Sequence, residues 1–87
     1  MAITLVICLH KNRAEYLADI DIKQAAITHN CGTLREIKTP GEHIIFRNPF
    51  DVRYIAGLKP DKILIHPKAG HLITEEVRQE LERLGKL

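Results

Sequence analysis

The hydrophobic positions change period several times along these 87 residues, and each change marks an element. Ile3-Thr4-Leu5-Val6-Ile7-Cys8-Leu9-His10 is β-branched and nearly continuous in apolar character, as a strand covered on both faces requires. Asn12 followed by Glu15 has the spacing of a capping box. It predicts a helix from Arg13 through Ile20, with Tyr16, Leu17, Ala18, Ile20 and Ile27 continuing an apolar stripe towards Thr28. Asp19 and Asp21 are weak mid-helix residues and mark a break, and Gly32 is the expected stop. Thr33–Thr39 and Glu42–Asn48 flank Pro40-Gly41, a pair that favours type II turns, and predict an antiparallel hairpin whose first arm lies at an edge.

Pro49 opens a short helix over Phe50–Leu58, with Phe50, Tyr54 and Leu58 on one face, ended by Gly57 and Pro60. Ile63-Leu64-Ile65 forms the next strand, reached by a parallel crossover. A final helix begins after Thr74, carries Glu75 and Glu76 in its first turn, and buries Val77, Leu81 and Leu84. The order is β-α-β-β-α-β-α. It predicts a single α/β domain over residues 1–87, of two or three layers, with a mixed sheet containing a parallel β-α-β unit and a β-hairpin. In open sheets the carboxyl ends of parallel strands form the usual binding edge. Three such ends bring His10, Lys11 and Arg13, Arg47 and Asn48, and His66 and Lys68 to one rim.

Gly41–Ala69, GEHIIFRNPFDVRYIAGLKPDKILIHPKA, resembles the stretch leading to the Walker B strand in phage terminase large subunits and related helicase-type P-loop ATPases. Arg53-Tyr54-Ile55-Ala56-Gly57-Leu58 matches the short Arg-x-x-x-Gly segment, and Ile63-Leu64-Ile65 the apolar strand after it. ITLVICLHKNRAEYLADI is similar to the strand and helix that follow the P-loop there. The resemblance implies a P-loop-like half domain of phage or prophage origin. The chain departs from that pattern where the chemistry resides. No G-x-x-x-x-G-K-[ST] occurs, and His66 and Pro67 stand where the family places its acidic pair. A carboxylate pair holds Mg²⁺ and orients water, whereas imidazole prefers softer metals and proline offers no side-chain ligand. ATP hydrolysis by this chain alone is not expected.

Composition narrows the remaining classes. Thirteen Lys and Arg against eleven Asp and Glu give a net charge of +2, too small for a strongly electropositive surface. Residues 1–73 carry ten basic against seven acidic side chains, so a modest basic patch is compatible with the balance. The run Ile3–Leu9 lacks the basic flank and small-residue cleavage pattern of a secretion signal, and no segment is apolar for long enough to span a bilayer. Cytoplasmic residence, with no membrane association, is the default expectation. Two cysteines do not make a disulfide scaffold.

Cys8-Leu9-His10 and His29-Asn30-Cys31 would form a tetrahedral zinc site if they met, but their spacing matches no zinc-finger signature and Cys8 reads as a small core residue. His10, His66 and His71 have no serine to activate, because the chain contains none. Neither a catalytic residue nor a metal or other cofactor is therefore assigned. The expected function is a small non-enzymatic interaction protein binding a protein partner through a sheet edge or the strand-end rim, and a homodimer formed through an edge is one form of that. Two alternatives are a nucleic-acid-binding accessory protein using the basic rim, and a small metal- or histidine-dependent enzyme.

Overall fold

The computed structural model describes residues 2–30, 32–51, 53, 55 and 57–84. Five strands form one mixed sheet: β1 Ala2–Ile7, β2 Ala26–Asn30, β3 Thr33–Lys38, β4 Glu42–Arg47 and β5 Lys62–Ile65, in the spatial order β2-β3-β4-β1-β5. β1 runs parallel to both neighbours, with Ile7 beside Arg47 on one side and Ile65 on the other. β2-β3 and β3-β4 are antiparallel. The α/β class and the mixed sheet are as the sequence implies, and the three strands expected to end at the rim lie side by side.

The continuous apolar run explains why β1 is central, since both of its faces are covered. Leu5 and Ile7 join Ile45, Ile55, Val77 and Leu81 on one face. Val6 and Cys8 join Leu34, Ile37 and Phe46 on the other, closed by Tyr16, Leu17 and Ile20. Each fully buried Leu, Ile or Phe contributes roughly 1.5–3 kcal/mol relative to exposure, so this strand is the energetic centre of the fold. The first face is covered by the helix α1, Glu75–Arg83, which starts where Thr74 accepts the Val77 N–H at 3.3 Å. Its stripe is the expected one, with Val77 and Leu81 buried and Leu84 packed beside them.

The opposite face differs from the sequence reading. His10–Leu17 is a 3-10 segment, not the start of a long α-helix, and Ala26–Asn30 is a strand, not the helix's last turns. Asn12 does not cap. It lies inside the 3-10 segment, buried, with its N–H donating to the Leu9 carbonyl at 3.0 Å. Asp21 breaks the stripe by accepting the Lys23 N–H at 3.1 Å, a side-chain turn that competes with helix. Ile27 then pairs with Ile37 across a hairpin, with Gly32 at φ 76° supplying the left-handed turn residue. Gly32 is therefore a hairpin glycine and not a helix stop.

The arm expected at an edge, β3, is paired on both sides, and the edges are β2 and β5. The Pro40-Gly41 hairpin forms as expected, with Glu42 and Thr39 exchanging backbone and hydroxyl hydrogen bonds of 2.8–3.2 Å. In β3 the register slips: Thr28 faces Glu36 and His29 faces Leu34, leaving Arg35 as the extra residue of a bulge. The bulge is what allows Leu34 and Ile37, three apart, to reach the same apolar face. The helix predicted over Phe50–Leu58 falls partly outside the described residues, which omit Val52, Tyr54 and Ala56. Within it Ile55 is the buried anchor, whereas Phe50 is 54% exposed.

Candidate functional site

The three parallel strands end together. The Cys8 N–H donates to the Arg47 carbonyl at 3.1 Å, and the His66 N–H donates to the Ile7 carbonyl at 2.9 Å. The predicted rim residues follow at once, but they separate into an inner and an outer set.

Arg13 belongs to the inner set. It is only 4% exposed, its Nη1 donates to the Leu34 carbonyl, and its Nη2 donates to Asn48 Oδ1 at 3.4 Å. Its guanidinium lies 5.9 Å from the Phe46 ring centroid, within cation-π range. Burial lowers its pKa from the usual arginine value, an effect partly offset by Cys8 beside it. Arg13 is thus a clamp fastening the 3-10 segment to the start of β3 and the end of β4.

His66 is also inside, 9% exposed. Its Nδ1 accepts the Lys68 N–H at 3.1 Å, which leaves Nε2 to donate to Glu15 Oε2 at 2.9 Å. Its ring meets Tyr16 edge-on at 6.2 Å, and Tyr16 in turn packs on Phe46 at 5.8 Å. Both imidazole nitrogens are committed to internal hydrogen bonds, so the side chain reads as structural. Half-buried Arg47 donates to the Phe46 carbonyl at 2.7 Å. Its pKa is lowered chiefly by burial and then by the neighbouring Arg35, with Glu36 opposing.

The outer set consists of His10, Lys11, Asn48 and Lys68. The first three, with Leu9 and Phe50, line a shallow cavity of about 410 Å³. His10 Nδ1 lies 3.4 Å from Thr33 Oγ1, and Lys11 and Lys68 are exposed. Arg47, His66 and Lys68 do not line the cavity. Its apolar members, Leu9 and Phe50, are not evident from pattern alone, because the first continues the apolar run of a strand and the second falls on the apolar face of a short predicted helix. Glu15 as the partner of His66 is hidden in the same way, because its spacing from Asn12 is that of a capping box.

Chemical reactivity at the rim is limited. Burial pushes the Cys8 thiol up to about 11, more than nearby Arg13 can offset, so it stays protonated and unreactive at neutral pH. Among the described residues no three His, Cys, Asp or Glu side chains cluster to hold a metal ion. Of the two Cys/His pairs, Cys8 is buried just beyond the end of β1, His10 is exposed, and Cys31 lies outside the described residues. No described helix is long and apolar enough to cross a membrane.

No family model matches the chain, and neither curated proteins nor solved structures yield a match. The functional reading therefore rests on the geometry of the rim.

Proposed function

We propose that this protein is a small non-enzymatic interaction module that receives an apolar side chain of a partner protein in the cavity at its strand-end rim. The observation that carries the reading is Phe50. A large aromatic side chain left 54% exposed beside Leu9 is the kind of surface that anchors a protein contact. Lys11 and His10 border the same cavity and no acidic side chain among the described residues lines it, so a partner segment with a carboxylate next to its apolar anchor fits the charge. The P-loop-like resemblance accords with this reading, as a half domain whose rim has lost its phosphate-binding groups.

Nucleic-acid binding has weaker support. Of the basic rim side chains, Arg13 is committed internally and Arg47 is half-buried, leaving Lys11 and Lys68 as the exposed lysines of the rim. Two phosphate contacts give a salt dependence with a slope of only about −1.8 and little affinity at physiological salt.

Affinity capture from lysate treated with nuclease tests the proposal, comparing the wild type with Phe50→Glu and Lys11→Glu. A protein captured in near-equal amount by the wild type, lost with Phe50→Glu and weakened by Lys11→Glu, is the expected result. An unchanged capture pattern in both variants, or binding abolished by nuclease, contradicts it.

A further inference from the structure

We infer that β2 is a self-association edge, through which two copies of the chain pair antiparallel and extend the sheet across a twofold axis. A five-stranded sheet has two edges, and this one guards them unequally. β5 is bracketed by Pro60 and Pro67, carries Lys62, and is preceded by Asp61, whose carboxylate accepts the Ile3 N–H at 2.8 Å. Prolines and charges of this kind are the ordinary devices that keep an edge from pairing with another chain.

β2 has neither, and the bulge beside it places its extra residue, Arg35, in β3 and not on the edge. Ala26-Ile27-Thr28-His29-Asn30 contains no proline and no Lys, Arg, Asp or Glu, and among the described residues it is bonded on one side only, to β3. Ala26, Thr28 and His29 are exposed, and Ile22, in the turn leading into the strand, is 60% exposed. The occupant that fits is a second copy. Antiparallel pairing about Thr28 sets 26 against 30 and 27 against 29, with Thr28 opposite its own counterpart. No formal charge then faces its like, and a Thr-Thr cross-strand pair is a favourable one. The contact is isologous, so it closes at two copies and does not propagate into fibres. Half-buried Ile27 then lies opposite the imidazole of the other copy's His29.

Five residues per copy make a small interface, so association should be weak, with Kd on the order of tens of micromolar. Sedimentation velocity of the full chain in reductant, over concentrations from about tenfold below to tenfold above that value, is the test. The mass should rise from monomer to dimer and no further. Thr28→Lys sets two ammonium groups together at the axis and should weaken the dimer at least tenfold, with an unchanged circular dichroism spectrum. His29→Lys, on the opposite face of the same strand, should also dissociate it, and Lys62→Thr on the other edge should not. A wild type that stays monomeric throughout overturns the inference, as does a dimer that survives both β2 substitutions.

Discussion

The two halves of the sheet are built from different kinds of sequence and reach different degrees of closure. In β4-β1-β5, apolar residues follow one another without alternation, and layers on both faces bury them. In β2-β3, polar and apolar residues mix, a bulge interrupts the register, and most of β2 is exposed. The first half holds the fold and positions the rim. The second rests on β3, whose Leu34 and Ile37 are buried, whereas β2 beyond it is supported from one side and has little burial to resist local opening. The comparison shows where function has room: a side chain already committed to an internal contact, such as Arg13 or His66, is not available to a ligand.

Substitutions should separate the halves in order of effect. Leu5→Ala removes a fully buried side chain from the central strand and should cost about 3–5 kcal/mol in denaturant unfolding, enough to unfold much of so small a domain. A loss below about 1 kcal/mol would mean that β1 is not the centre of the core.

Arg13→Lys comes next. Lysine keeps the charge but lacks the fork that reaches both Leu34 and Asn48, so we expect a loss of about 1–3 kcal/mol despite the conservative exchange. Full rescue by lysine, measured by the same unfolding curves, would show that the clamp is not a hydrogen-bonded one.

Cys8 gives a pH test of comparable or smaller size. Its thiol pKa is raised in the folded protein from 9.0 to about 11, so folding favours the protonated form. That contribution is fully present below pH 9 and is lost as pH rises towards 11, amounting to about 2–3 kcal/mol. Cys8→Ala should be less stable than the wild type at neutral pH, yet lose less stability over that interval. Parallel stability profiles for the two proteins would contradict the assignment.

Gly32→Ala should have the smallest effect, about 1 kcal/mol, because φ 76° strains any residue with a Cβ even though the space around it is open. Its cost should appear as faster hydrogen exchange in β2 and the start of β3, leaving β1 unaffected.

The same contrast explains what could be read from the chain alone. The first strand, expected over Ile3–His10 and found as Ala2–Ile7, and Ile63–Ile65 were legible because an uninterrupted β-branched run has few other uses, and Pro40-Gly41 located its hairpin directly. β2 was not legible. Tyr16, Ile20 and Ile27 happen to fit a helical stripe, and what makes Ala26–Asn30 a strand is the pairing of Ile27 with Ile37, a contact that local periodicity does not encode. The rim's position followed from strand order, but its division into inner and outer residues did not. Whether Arg13 faces solvent or the Leu34 carbonyl depends on a partner 21 residues away, and His66 depends on Glu15, which is further off still in the sequence.

Native-state hydrogen exchange in dilute protein, resolved by residue, tests the division of the sheet most directly. Amides of Leu5, Val6 and Ile7 should exchange only through global unfolding, while those of Ile27, Thr28 and His29 open at least 2 kcal/mol more easily, roughly thirtyfold faster at equal intrinsic rates. Equal protection of β1 and β2 in monomeric protein would contradict the account, because the outer hairpin would then belong to the same cooperative core.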